Sequence, residues 1–376
     1  MALQLTDFNY ELPSELIAQA PAVPRDSSRL LVFDRQKGVV ENSEGHFFDL
    51  PTILANKIKN EGRELLLVRN NSAVIPARLF GMKPETGSRV EILLARQKEL
   101  GTQTETWECL TKPGLKVGQK ISFQNDNFSA TCTEISGYTR LLKFDFSAQI
   151  AGQKYTFYDH LNELGCTPLP PYIDSQEPEQ SLRQLYQTIY AQEAGSVAAP
   201  TAGLHFTPQV DQALRAAGIE IAEVTLHVGL GTFLGVKTSD ITEHQMHAEQ
   251  FTLGAAPAQI INQYRARGGA ILAIGTTTTR VLETCFDSQK QALVPQSGDT
   301  SIFLYPPQKF QVVDHLLTNF HLPKSTLLML ISALTSTPNT PHEFQDFLSS
   351  PIGQAYATAI REKFRFFSFG DSMLIW

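Results

Sequence analysis

The chain has 376 residues, 42% of them hydrophobic and 18% charged, with a formal net charge of −7. That length exceeds the ~250–300 residues at which a single core stops growing, so two domains are expected, and the composition excludes a disordered chain. No stretch approaches the ~18 consecutive apolar residues of a membrane span, and the start MALQLTDFNYELP lacks the features of a secretion signal. Cys109, Cys132, Cys166 and Cys285 are widely spaced and form no CxxC pair, which reads as reduced thiols of a cytoplasmic protein. The acidity argues against a general nucleic-acid binder, but the charge is uneven. Residues 65–155 hold 12 Lys and Arg against 8 Asp and Glu, a net of +4, leaving 19 against 30 elsewhere.

Taken in order, Pro13 and Ser14 suit a short helix start, and 29–33 is an apolar strand. Asp49-Leu50-Pro51 opens a helix to about Asn60 that Gly62 ends, and 64–68 is a second strand. From Arg69 the texture changes to short β-type runs such as GSRVEILLARQ and RLLKFDF, with turn residues between them and no helical period until Tyr158. This pattern predicts a small sandwich or barrel over 69–155, inserted into a domain made of 1–68 and 156–376. Strands and helices then alternate. Helices are expected at 158–164 and at 179–192, the latter with Leu182, Leu185, Tyr186 and Ile189 on its apolar face. Further helices are expected at 207–217, 257–267, 276–287 and 325–335, and two more reach about Lys363. Strands are expected at 219–228, 270–274, 301–305 and 311–318. The fold class is therefore α/β, a layered sheet with helices on both faces plus a small inserted β domain.

The chemistry concentrates in 196–251, which carries four of the nine histidines: His205, His227, His244 and His247. Histidine is the side chain that titrates nearest neutrality, and two of these sit beside glycine at strand ends. LHVGLGTFLG places Gly229, Gly231 and Gly235 as GxGxxxG, but no helix follows to receive a pyrophosphate, so a dinucleotide fingerprint is rejected. A tight turn and a ligand cradle both remain open there. In GGAILAIGTTTTRVLET a buried strand leads through Gly275-Thr276-Thr277 into a helix whose start suits a carboxylate or a ribose hydroxyl; ordinary N-capping is the alternative. Asn319 and His321 precede another apolar helix, and His321 is either a site residue or a hydrogen-bonded structural one. His244 and His247, with Glu243 and Glu249 nearby, have i, i+3 spacing rather than that of HExxH, so no metal is expected.

Several long, rare stretches together resemble one family, the S-adenosylmethionine:tRNA ribosyltransferase-isomerases of queuosine biosynthesis. They include PRDSSRLLV, VRNNSAVIPARLFG, YQTIYAQEAGSVAAPTAGLHFT, VTLHVGLGTF, HQMHAEQF, AIGTTTTRVLE, LLTNFHLPKSTLLMLISAL and FRFFSFGDSMLI, and they span nearly the whole chain. Departures are local, such as YPP for an expected YPG and SALTS for SAFAG. The resemblance implies an α/β domain with an inserted β-barrel. It implies transfer of the ribosyl part of S-adenosylmethionine onto 7-aminomethyl-7-deazaguanine at a tRNA wobble position, giving epoxyqueuosine, adenine and methionine. S-adenosylmethionine is then a consumed co-substrate, with no metal or further cofactor, and a cytoplasmic monomer is expected.

That reaction deprotonates an aminomethyl ammonium and the carbon beside a sulfonium, so a base near neutrality is needed. His205 and His227 are the first candidates, with Glu249 and Asp371 behind them. Thr276 and Thr277 are expected to hold the methionine carboxylate or ribose, and Phe206 and Phe233 to offer ring faces to the sulfonium. Thr201, Gly229, Gly231, His244, His247, Arg280, Asn319 and His321 complete the expected substrate site. Arg78, Lys83, Arg89, Lys112 and Lys116 of the basic insert are either a tRNA footprint or a solvated surface. The competing functions are a non-catalytic RNA binder and an RNA methyltransferase, neither of which releases adenine on turnover.

Overall fold

Six residues, Leu65–Asn70, run buried from end to end through the centre of the molecule. The computed structural model describes residues 3–124, 126–229, 231 and 235–376. Leu65–Asn70 lies parallel to Glu220–Leu226 on one side and Ala270–Ile274 on the other, and His315–Asn319 continues the parallel set. Near-continuous apolar strands of this kind need cover on both faces. Here side chains alternate: Leu66 and Val68 join one core, Leu65 and Leu67 another. Helices Ala255–Ala266, Gly275–Thr284, Thr326–Leu334 and Pro351–Arg361 cover the first face, and Leu50–Glu61 and Pro208–Ala216 the second. The nine-stranded mixed sheet adds Glu249–Leu253 and Gln296–Thr300 at one edge. Ser372–Ile375, Arg29–Asp34 and Val39–His46 extend it at the other.

The insert is a closed barrel of six antiparallel strands: Arg78–Met82, Arg89–Leu100, Thr104–Lys112, Lys120–Ser122, Phe128–Ser136 and Thr139–Phe146. Closure removes the exposed edges that an open sheet of this size would present. Leu79, Val90, Ile92, Trp107, Phe128 and Phe144 fill it. The helix Phe157–Leu164, capped by Thr156 and Asp159, seals it by stacking Phe157 on Trp107 at 5.9 Å between ring centroids. The chain leaves the central strand through Ser72–Val74, which pairs in parallel with the returning segment Glu193–Ser196.

Several elements differ from expectation. The helix expected over 179–192 stops at Leu185, because the chain must extend to bring Glu193–Ser196 alongside Ser72–Val74. Ile189 therefore lies outside the helix and is 44% exposed. Residues 301–305 form no strand; the edge strand is Gln296–Thr300, paired with Glu249–Leu253. The strand expected from 311 begins only at His315, since the Glu283 carboxylate takes the N–H groups of Gln311, Val312 and Val313 at 2.8–3.0 Å. In place of two C-terminal helices there is one, followed by Ser372–Ile375, which inserts between His315–Asn319 and Arg29–Asp34.

At the end of the central strand, where Asn70 still pairs with Val224, the Asn70 side chain carries the connections further. Its Nδ2 donates to Leu226 O (3.0 Å) and Thr277 Oγ1 (3.3 Å), and its Oδ1 accepts from Leu226 N (3.0 Å) and Ser72 N (3.1 Å). Each buried group left unpaired costs about 1–3 kcal/mol, so Asn70→Ala should lower unfolding free energy by roughly 3 kcal/mol or more. Urea unfolding measures this, and a loss below about 1 kcal/mol would contradict the role given to the side chain.

Candidate active site

The parallel strands share one carboxyl edge, the usual place for a ligand in an open α/β sheet. A crevice opens there, lined among others by Thr201, Gly275, Thr276, Thr277, Arg280, Asn319 and His321. Gly275 turns the strand into the helix Gly275–Thr284 at φ +81°, a backbone conformation that favours glycine. The N-cap, Ile274, offers no side-chain acceptor. Thr278 and Thr279 donate back to Ile274 O and Gly275 O, and Thr277 Oγ1 accepts from Asn70. These threonines are therefore turned to other partners, and the helix start has no side-chain cap among the described residues. The Thr326–Leu334 helix differs, because Ser325 accepts from Leu328 N.

Beside that open start lies Asn319, 3% exposed. Its Nδ2 donates to Phe367 O (3.0 Å) and to His205 Nε2 (3.2 Å), while Oδ1 has no partner among the described residues. His205 is thereby assigned as neutral, with Nε2 accepting and Nδ1–H donating to Ser28 Oγ at 2.7 Å. Burial pushes its pKa down to about 4, against an opposing pull from Asp371. Stacked on Phe47 with both nitrogens engaged, His205 has no lone pair free for a substrate proton. Phe206 is fully buried between Phe47 and Tyr190, so its ring faces core rather than the crevice. His321 bonds Thr318 Oγ1 at 2.9 Å, and burial lowers its pKa to about 3.

A second cavity lies between barrel and sheet. Arg96, Trp107 and Tyr158 line it on the barrel side, and Gly195, His227, Gly229 and Glu249 on the other. His227 packs against Gly195, where φ is +143° and a Cβ would come within 3.0 Å of the imidazole. Its Nδ1 is buried with no partner among the described residues. Burial lowers its pKa, and Glu193 opposes the shift. Glu249 forms a buried ion pair with Arg280 and accepts the Gly229 N–H at 2.8 Å. Arg280 lines the crevice and Glu249 lines the cleft, so this pair is the wall between the two cavities.

The other expected residues are dispersed. His244 lies edge-on to Phe303, while exposed His247 meets Tyr138 of the barrel at 3.1 Å and packs against Gly231. Phe233 lies outside the described residues. Asp371 is buried and committed to Arg29 N, Arg365 N and the Arg365 guanidinium. On the barrel, the strand register sets Phe80 opposite Glu91 and Glu91 opposite Lys112, with Arg78 and Arg89 two residues away on the same face. Arg89 sits over Phe80 at 4.2 Å, Arg78 pairs with Glu91 at 2.6 Å, and Lys83 lies at the rim. Lys116 falls in a separate turn before Lys120–Ser122. Sequence reasoning did not single out Asn70 or Ser28. The polar pair Asn70-Asn71, closing an otherwise apolar strand, was the available signal.

An α/β protein with a closed barrel and a crevice at the carboxyl edge of its sheet belongs to the ligand-binding class of such folds. A profile described as queuosine biosynthesis protein matches residues 5–375. Among solved structures, the chain is similar to the crystal structure of S-adenosylmethionine tRNA ribosyltransferase from Thermotoga maritima. The two are 34% identical over 98% of this chain and 100% of that one, with a TM-score of 0.50. The chain belongs to the queuosine biosynthesis family of S-adenosylmethionine:tRNA ribosyltransferase-isomerases.

The buried histidines give a pH signature. In the unfolded chain they protonate near 6.5, whereas folded His205 stays neutral to about 4 and His321 to about 3. The stability this neutrality confers is fully present above 6.5 and is lost as pH falls toward the folded values. One such group steepens the dependence by about 1.4 kcal/mol per pH unit. His205→Gln should remove that much of the slope between about pH 6 and 4. Urea midpoints across this range test it; an unchanged slope would refute a neutral buried His205.

Proposed function

We propose that the crevice takes S-adenosylmethionine and the barrel-side cleft takes the 7-aminomethyl-7-deazaguanine of a tRNA wobble position. The ribosyl group then passes between them beside the Glu249–Arg280 pair, giving epoxyqueuosine-tRNA, adenine and methionine. The observation that carries this reading is the shared wall, since two separate substrates need two cavities that meet. Thr276, Thr277 and the open helix start hold the polar end of the donor, with Thr201 at the rim.

His227 is the base. Among the described residues it is the histidine on the cleft with a buried, unpartnered nitrogen, and burial favours its neutral form, which accepts a proton at pH 7. Glu249, tied to Arg280, instead holds the Gly229 N–H next to it. The barrel face around Phe80 receives tRNA phosphates, with Arg89 and Lys112 the exposed cations and Lys83 at the edge. The enzyme works in the cytoplasm, where tRNA and S-adenosylmethionine are both available, and it acts as a monomer.

Incubating the protein with S-adenosylmethionine and tRNA bearing the aminomethyl base, then analysing nucleosides by mass spectrometry, should show epoxyqueuosine with equimolar adenine. Methylated tRNA with S-adenosylhomocysteine would overturn the reading. His227→Ala should lower kcat by roughly 10²–10⁴-fold. Turnover near wild type would remove His227 from the role. Replacing Arg89 and Lys112 together should weaken tRNA binding and flatten the plot of log affinity against log salt by about 0.7–0.9 for each phosphate no longer neutralised. S-adenosylmethionine affinity should not change, and an unaltered salt slope would move the footprint off this face.

A further inference from the structure

Among the described residues the Asn319 carbonyl has no partner and the helix start beside it no side-chain cap, and the two are complementary in sign. The register pairs Ile274 with Leu317, so Asn319 stands two residues beyond that pair, level with the first turn of the Gly275–Thr284 helix. Adjacent strands are about 4.8 Å apart, which puts a set of N–H donors and a single acceptor within the span of one small group. The orientation of the amide is not free. Both Nδ2 protons are used, on Phe367 O and on His205 Nε2, and flipping the amide would set Oδ1 against a carbonyl oxygen. Oδ1 is therefore held as an acceptor in a buried place where it has no protein donor among the described residues.

The charge of the surroundings narrows the ligand. Arg280, which lines the same crevice, is neutralised by Glu249. The crevice lining, among the described residues, then has no unbalanced cation to favour a net anion such as phosphate. It offers an anion position at the helix start and a donor-seeking position next to it. A carboxylate and an ammonium on the same carbon satisfy both at no net charge.

We infer that Asn319 and the Gly275–Thr284 helix start form a clasp for the α-amino acid group of the donor, the carboxylate on the backbone N–H groups and the ammonium on Asn319 Oδ1. This rests on the reading that the crevice takes S-adenosylmethionine. It makes Asn319 a residue that selects a ligand with a free α-amine. His205 becomes the positioning residue that keeps the amide turned, and its neutral state is what lets Nε2 accept from Nδ2. An adenine amino group is also a donor to Oδ1, but adenine brings no anion to the helix start.

Calorimetric titration of wild type and Asn319→Ala with S-adenosylmethionine and with its desamino analogue, in which hydrogen replaces the α-ammonium, tests the clasp. In wild type the loss of the amine should weaken binding roughly 10- to 100-fold, as for a hydrogen bond to a charged group. In Asn319→Ala the same change should cost less than about threefold, because the two deletions remove one interaction. Decarboxylated S-adenosylmethionine should bind weakly to both proteins. Equal penalties for amine loss in the two proteins, or none in wild type, overturn the clasp while leaving the donor reading intact. No binding of S-adenosylmethionine to wild type overturns both. If Asn319→Ala does not fold, competition in the wild type decides: free L-methionine should displace S-adenosylmethionine, and 4-(methylthio)butanoate should not. Equal displacement by the two overturns the clasp.

Discussion

A carboxylate and a guanidinium shut away from water hold the two halves of this site in register. Glu249 and Arg280 are 4% and 7% exposed at their side chains. Charges so buried persist only when paired, and removing one partner typically costs about 3–5 kcal/mol. The pair joins the strand Glu249–Leu253 to the helix Gly275–Thr284, and through the Gly229 N–H it also anchors the backbone two residues after His227. The open helix start and His227 are thereby fixed relative to one another, although they belong to different cavities.

The second constraint is where the barrel leaves the sheet. Insertion at the end of Leu65–Asn70 puts the barrel over the carboxyl edge, where ligands bind, rather than over the other end of the strands. The strand end bears unusual load. Arg69 pairs with Asp211 and Glu223 and lies over Tyr190 at 3.7 Å, while Asn70 spans the gap to Leu226 and Thr277. Polar contacts join the barrel to the rest of the chain, Arg96 on Asp299 and Tyr138 on His247, and Val197 packs into the barrel's apolar cluster.

What could be read from the sequence follows from how local each signal is. The apolar central strands, the Gly62 stop and the strand–Gly–Thr helix start are written in adjacent residues, and they lie where expected. Ser372–Ile375 is a short run of four residues with no period to mark it, and Val39–His46 is a polar edge strand. Both become strands through their neighbours. The histidines make the same point. His205 and His227 have nearly the same flanking residues, yet one is sealed behind Asn319 and the other faces a cleft. Only long-range packing separates them. Asn319 was expected in the site from its place before an apolar helix, but its distinguishing feature, a buried oxygen with no partner among the described residues, is not written in the sequence.

The most direct test of the two-cavity arrangement is a structure with S-adenosylmethionine and an anticodon stem-loop carrying the aminomethyl base bound together. The account predicts the donor's amino acid end at Thr276 and Asn319, the base in the cleft beside His227, and the reacting atoms meeting at the Glu249–Arg280 pair. Both substrates on one side of that pair, or a base seated away from the cleft, would contradict it.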